Sequence, residues 1–509
     1  MIVTVHSGGL AGVDAFDVGL EVDFTRQGLP AFTMVGLAEA AVREAKERVF
    51  AALRASALRI PVGRVTVNLA PAGCKKQGTA YDLPLALGLL AAAEQVPAQC
   101  VQGWYCAAEL SLNGCLRPVA GILPLAMLAR QCGAKGLLVA PDNAEEAAIV
   151  RDLPVFAPRT LAECVAFLTE NQPLAPVPPT AMDESAEAAY PLDFSEVKGQ
   201  SMGKRALEVA AAGGHNVLLM GPPGSGKTML AQRLPTILPP LTFEEALEVT
   251  KIYSVAGLLP QGRGLLRQRP FRAPHHTVSE VALVGGGHTP HPGEVSLAHR
   301  GVLFLDELPE YHKSALEVLR QPLEDGRVTI SRATQSVTYP AACMLVAAMN
   351  PCPCGYYSDP SHQCTCTSTQ VARYRNRLSG PLLDRIDVHV EIPAVPFEEL
   401  QDSKGTASSA TLRAAVLAAR HRQGQRYAGT PCRCNAELSG AQLEEHCRLD
   451  AAGHSLMQGA MNRLGLSARA YTRVLRLART IADLAGEEQL LPEFLAEAIS
   501  LRALDRERM

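Results

Sequence analysis

The chain has 509 residues, enough for about three domains, and its 48 Lys plus Arg against 51 Asp plus Glu leave a net charge of −3. That balance excludes a globally cationic nucleic-acid binder while leaving room for a local basic strip. No apolar run reaches the ~18 residues a membrane span needs, and MIVTVHSGGL lacks the charged and apolar regions of a signal peptide, so a cytoplasmic protein is expected and its 14 Cys read as thiols or metal ligands.

Residues 1–170 alternate short β-rich runs with Ala/Leu-rich helical runs. Arg64–Ala70 and Lys135–Pro141 read as strands, and EAAVREAKERVFAALRAS and YDLPLALGLLAAAEQ as helices. Residues 171–192, rich in Pro and small polar groups, have linker composition. From 193 to 400 a helix (GKRALEVAAAG) is followed by the apolar strand NVLLM, a glycine-rich turn, and further strands GVLFLD and MLVAAMN, the pattern of a parallel sheet flanked by helices. The weak break Gln401–Ala410 leads to a block without strand-like runs, where ARAYTRVLRLARTIADLAG repeats its apolar residues at helical spacing. The fold class expected is α/β, multi-domain: 1–170, a linker 171–192, an α/β core 193–400 and a helical domain 401–509.

Gly221-Pro222-Pro223-Gly224-Ser225-Gly226-Lys227-Thr228 matches G-x-x-x-x-G-K-[ST] between a strand and a helix. Such a loop turns backbone N–H groups toward phosphate at a helix N-terminus, the lysine neutralises β/γ-phosphate charge, and the threonine places a hydroxyl on Mg²⁺. ATP and Mg²⁺ are the expected ligands. The strand GVLFL ends in Asp306-Glu307, where ligands bind in open α/β sheets. Asp306 suits the Mg²⁺ shell and Glu307 the base that deprotonates the attacking water. MLVAAM ends in Asn350, an amide placed to position that water. Arg385, after a Ser-Gly-Pro turn, and Arg469, at a helix start, read from spacing alone as surface arginines.

Cys352, Cys354, Cys364 and Cys366 form C-x-C-x₉-C-x-C, with His362 as a substitute ligand. The segment reads either as a tetrahedral Zn²⁺ site or as free thiols, because C-x-C is tighter than the usual pairs. Cys432 and Cys434 lack a second pair and read as free. GRVTISRATQSVTYP reads as two strands about a turn with Arg332 near the tip, and Arg263, Arg267, Arg269 and Arg272 form a basic cluster that would meet phosphate. His275 and His276 read as packing or polar groups rather than metal ligands.

Taken in order, GPPGSGKT, LFLDE, AAMN, SGPLLDRID and ARAYTRVLRLART resemble the magnesium-chelatase branch of AAA+ ATPases, ring-forming motors with a helical lid after the core. GGLAGVDAFDVGLEVDF, FRAPHHTVS, PGEVSLAHRGVLFLDELPE and NPCPCGYYSDP extend the likeness over nearly the whole chain to the ComM (YifB) family. That resemblance implies a homo-hexameric, ATP-driven DNA helicase that acts on single-stranded and branched DNA and promotes branch migration in natural transformation. It implies Asn350 as first sensor, Arg385 as a finger acting on the neighbouring subunit, Arg469 as second sensor, Val197 and Gln200 at adenine, and the Arg332 hairpin in the ring pore. The segment TVSEVALVGGGHTPHPGEVSLAH resembles the extra hairpin of this branch. The competing expectation is a motor subunit that drives metal insertion into a porphyrin. Residues 1–170 resemble the protease domain of Lon, with Ala80 where that family has its nucleophilic serine and Leu123 where it has its lysine. A Ser–Lys dyad needs a hydroxyl and a base, so the resemblance implies a protease fold without its catalysts.

Overall fold

The computed structural model describes residues 2–27, 29–180, 190–260, 262, 264–287, 290–332, 335–357, 359, 362–396, 398–399 and 407–502. The first domain is built on a seven-stranded mixed sheet. Its strands are β1 (Ile2–Ala11), β2 (Asp14–Thr25), β3 (Ala31–Val35), β4 (Arg64–Ala70), β5 (Trp104–Ala107), β8 (Gly136–Val139) and β9 (Val155–Phe156), in the order β3-β4-β2-β1-β5-β8-β9. The short strands β6 (Glu109–Leu110) and β7 (Leu116–Arg117) pair separately. β1 and β2 form one long antiparallel hairpin with Val3, Val5, Val18, Leu20 and Val22 on its buried face. Alternation of buried and open positions along both strands is what a sheet covered on one face requires. The expected strands at Arg64–Ala70 and within Lys135–Pro141 are present; the hairpin before them was not anticipated.

The helix Asp82–Ala92 is buried along its entire length, between the sheet and the helix Ala45–Ala55. The linker segment is not free at its start. The Val177 N–H donates to the Val155 carbonyl at 2.8 Å and that of Thr180 to the Ala148 carbonyl at 3.1 Å, so the chain runs along the first domain as far as Thr180.

The second sheet is all parallel, in the order β11-β14-β17-β10-β18, from β10 (Val217–Met220), β11 (Phe271–Arg272), β14 (Val302–Leu305), β17 (Met344–Met349) and β18 (Val388–Glu391). β10, β14 and β17 are buried at every residue. Continuous apolar runs, rather than alternation, belong to parallel strands covered on both faces. Val217, Leu219, Phe304 and Val346 feed one core; Leu218, Met220, Leu305 and Leu345 feed the other. Two ladders sit outside the sheet: β12 (Gly285–Gly286) with β13 (His291–Pro292), and the six-residue hairpin β15 (Arg327–Arg332) with β16 (Gln335–Pro340).

The last block is helical. Ser409–Arg426 and Ala468–Ala485 pack on the helix Ser201–Gly213, Pro492–Ser500 packs on Ala468–Ala485 and on Ala451–Leu464, and the block shares one core through Val416, Val474, Leu477 and Leu495. No helix among the described residues is long and apolar enough to cross a membrane.

Candidate nucleotide site

The phosphate loop joins β10 to the helix Lys227–Ile237. Gly226 caps that helix at φ +90, a conformation L side chains rarely adopt, so the loop can turn its N–H groups inward only with glycine there. The Gly221 N–H donates to the carbonyl of Met349, tying the loop to the end of β17. Lys227 Nζ donates to the carbonyls of Gly221 and Pro222, both at 2.8 Å, and to Asn350 Oδ1 at 3.3 Å. Burial holds the Lys227 pKa below the ordinary lysine value, against the opposing charge of Asp306.

Thr228 Oγ1 donates to Asp306 Oδ2 at 2.9 Å. A hydroxyl and a carboxylate in contact at a helix N-terminus are the oxygen donors Mg²⁺ accepts, so these residues fit the ion. Glu307 has φ +52, unusual for a residue with a Cβ, which turns it out of the strand line. Its N–H donates to Asp306 Oδ1 at 2.9 Å, holding that turn, and its carboxylate is 56% exposed. His276 Nδ1 lies 3.3 Å from Glu307 Oε2. That contact was missed from the sequence, where the His pair carried no signal of a partner 31 residues on.

Gln200, at φ +56, caps the helix Ser201–Gly213 and donates through Nε2 to the carbonyls of Ser225 at 2.9 Å and Pro393 at 2.6 Å. Its Oε1 and the Ser225 Oγ are buried with no protein partner. An unpaired buried acceptor costs free energy unless a ligand donor meets it, and the amino group of adenine is such a donor. Val197 is 2% exposed and packs in the adjoining core. The structure thus gathers Gln200, Lys227, Thr228, Asp306, Glu307 and Asn350 about the loop Gly221, Pro222, Pro223, Gly224, Ser225, Gly226.

It does not bring Arg385 or Arg469 there. Arg385 is paired with Glu324, donates to the Pro381 carbonyl at 2.6 Å, and lines a cleft of about 410 Å³ with Val284, Arg320, Glu324 and Val328. Arg469, 71% exposed, lies 3.6 Å from Asp384, the neighbour of Arg385 in the chain. Arg469 thus lies against the segment that carries Arg385.

Two of the four arginines in the basic cluster are engaged within the chain. Arg272 is paired with Glu294 at 2.6 and 2.7 Å, and Arg269 donates to the carbonyls of Pro239 and Arg300 and meets Glu245. Carboxylates and carbonyls take up the guanidinium donors of Arg269 and Arg272; Arg263 lies outside the described residues, and the contacts of Arg267 bear on neither reading. Arg332 ends β15, its side chain outside the described part. The segment 277–299 holds the short helix Glu280–Val284 and the β12–β13 ladder, with 288–289 outside. The sulfur atoms of Cys352, Cys354, Cys364 and Cys366 lie within 4.8 Å of one another, while His362 stacks on Tyr356 outside that group. Cys432 and Cys434 are buried and free.

In the first domain Leu123 is buried and Ala80 packs against the same apolar cluster. The nearby amine of Lys76 is fully buried and donates to the carbonyls of Gly36 and Pro71.

Family profiles match three stretches of the chain: magnesium chelatase, subunit ChlI, over residues 193–400; its C-terminal part over 406–502; and subunit ChlI of Mg-chelatase over 20–143. The chain is 45% identical to the competence protein ComM of Haemophilus influenzae, across 99% of this chain and 98% of that one. It is 44% identical to the YifB protein of Escherichia coli, across 99% and 97%. A further likeness, 31% identity with Lon protease 2 of Bacillus subtilis, covers 30% of this chain and 28% of that protein.

Proposed function

We propose that this chain, which belongs to the ComM/YifB family of magnesium-chelatase-type AAA+ ATPases, is a hexameric ATP-driven DNA helicase that promotes branch migration as incoming DNA is integrated in natural transformation or recombination. The observation that carries the reading is the convergence of Lys227, Thr228, Asp306, Glu307 and Asn350 around the phosphate loop of one parallel sheet.

Thr228 and Asp306 would hold Mg²⁺, which when bound offsets charge on the β- and γ-phosphate oxygens. Lys227 turns from the carbonyls of Gly221 and Pro222 to phosphate oxygens. Glu307 takes the proton of the attacking water, and Asn350, already at Lys227, orients that water. Gln200 Oε1 accepts from adenine against Val197. The partners of Arg385 and Arg469 lie outside their own phosphate loop, which suits delivery to the site of a neighbouring protomer, where a guanidinium stabilises developing charge. The four cysteines are read as a Zn²⁺ site. Residues 1–170 serve as a non-proteolytic domain, since Ala80 and Leu123 supply neither nucleophile nor base.

DNA contact falls to the β15–β16 hairpin. We assign it to the ring pore with Arg332 toward its tip, gripping phosphates without reading sequence. Single-stranded and branched DNA are then the partners, in the cytoplasm. The other reading, a motor that drives metal insertion into a porphyrin, draws on the names of the matched profiles. The end-to-end match to a competence protein favours DNA.

The test is ATP hydrolysis with single-stranded, forked and three-stranded DNA, with strand displacement read in parallel. DNA is expected to stimulate turnover, and Arg332→Ala to lose most of that stimulation together with displacement. A flat wild-type response to every DNA would sink the helicase reading.

A further inference from the structure

The four-cysteine loop is built against the phosphate loop. Cys352 follows Asn350 by two residues, and the sulfur separations are 3.3 Å from Cys352 to Cys354, 3.7 Å from Cys352 to Cys364 and 3.5 Å from Cys354 to Cys364. Four thiolates at ~2.3 Å from one Zn²⁺ in a tetrahedron stand about 3.8 Å apart, so the side chains are near the spacing the ion sets. Cys352 is fully buried and the other three are half-buried.

Between the two pairs the chain turns back through Gly355, whose N–H donates to the Cys352 carbonyl at 3.0 Å. Gly355 has φ +88, and a Cβ there would stand 2.6 Å from Cδ and 2.8 Å from Cγ of Pro223 in the phosphate loop. Only a glycine backbone can lie so close. On the far side Cys366 leads directly into the Thr367 cap of the helix Ser368–Arg375, and Arg375 Nε donates back to the Pro351 carbonyl at 3.1 Å. The segment is therefore held at Asn350, at Pro223 and at that helix, and among its described residues the buried side chains are Pro351, Cys352, Val371 and Tyr374. A stretch with so little apolar burial needs a cross-link to hold one conformation.

We propose that a Zn²⁺ bound by Cys352, Cys354, Cys364 and Cys366 is a clamp on the phosphate loop, pressing Gly355 onto Pro223 and fixing Asn350 at Lys227, so that metal occupancy sets ATP affinity from outside the nucleotide pocket. This rests on the reading of the chain as an ATPase. The ion orders the loop and makes no contact with the reacting phosphates; the cysteines are positioning residues.

The experiment measures zinc content, binding of a non-hydrolysable ATP analogue, and kcat and KM for ATP on the full chain. It is run on the protein as purified in reductant, after stripping with a chelator, and after re-addition of Zn²⁺ alone. One zinc per chain is expected. Stripping raises the analogue Kd and the KM roughly tenfold, the scale on which small misplacements act, and zinc restores both. Gly355→Ala keeps all four thiolates and the zinc, yet shows the same rise, because its methyl displaces Pro223. Cys364→Ser with Cys366→Ser loses the metal and is not rescued by zinc; should that variant fail to fold, the stripped and reloaded wild type decides alone. Reduced protein without zinc overturns the site. Zinc present, with affinity unchanged on stripping, overturns the clamp and leaves the ATPase reading standing. A zinc-loaded wild type that neither binds the analogue nor hydrolyses ATP overturns the ATPase reading itself.

Discussion

Glu307 and Lys227 sit in one site and fail in different ways. Lys227 is the cation proposed to meet phosphate, so Lys227→Ala is expected to lose nucleotide binding. The Glu307 carboxylate pairs with His276, and its N–H holds its own turn. Glu307→Gln should keep ATP bound and lower turnover by about 10²-fold or more, the usual worth of a general base. Binding of a fluorescent ATP analogue beside a phosphate-release assay separates the two, and wild-type turnover in Glu307→Gln would remove Glu307 from the mechanism. His276 belongs to the same accounting: its ring is near enough to hold the Glu307 carboxylate in place, a role invisible in the motif FRAPHHTVS.

Between elements, the helical block is locked to the parallel sheet by a buried polar chain. His215 Nδ1 meets Asp387 at 3.1 Å and its Nε2 meets Thr480 Oγ1 at 2.8 Å, while Asn435 donates to both Thr480 and Asp483. Burial pushes the Asp387 carboxyl up, but the His215 hydrogen bond and the charges of His215, Arg473 and Arg476 outweigh it and hold the pKa at about 2, below its ordinary 3.8. The folded state therefore binds fewer protons than the unfolded one. The stabilisation is complete above about pH 4 and is lost as pH falls toward 2. Asp387→Asn leaves buried cations unpaired and should cost about 3 kcal/mol near neutrality. The gap in Tm between wild type and Asp387→Asn should narrow from pH 5 to pH 2; a constant gap would mean that Asp387 is not the group that titrates. Asp387 lies two residues past Arg385, so the same chain links the helical block to the segment that carries Arg385.

At the scale of the molecule, the first domain is docked on the α/β core. Ser254 Oγ donates to the buried Glu146 at 2.5 Å, Lys251 pairs with Asp14 at 2.5 Å, and Val13, at the turn of the β1–β2 hairpin, packs into the core that holds Val328, Ile330 and Val337 of β15 and β16. The first domain thus supports the base of the hairpin proposed to grip DNA. Val13→Asp puts a charge into that contact. DNA-free hydrolysis is expected to persist while stimulation by single-stranded DNA falls several-fold; unchanged stimulation would detach the first domain from DNA handling. Assembly is tested by mixing. Each Arg385→Ala ring and each Lys227→Ala ring should be inactive alone, and mixed rings that exchange subunits should regain part of the hydrolysis, since an intact loop then faces an intact arginine. No recovery at any ratio would place Arg385 in its own site.

Gly221–Thr228 between β10 and its helix, the acids ending β14, the Asn ending β17, the β15–β16 hairpin and the amphipathic Ala468–Ala485 were legible in the sequence alone. Each is a signal contained in one short stretch, where spacing, glycine and apolar runs dictate local backbone. Tertiary structure alone decided that Arg269 and Arg272 are spent on Glu245, Glu294 and carbonyls, that His276 reaches Glu307, that Gly355 bears on Pro223, and that His215, Asp387 and Thr480 meet across 172 and 265 residues. A side chain's partner across such distances is set by which faces pack together, and packing of that kind leaves no period in the sequence to be read.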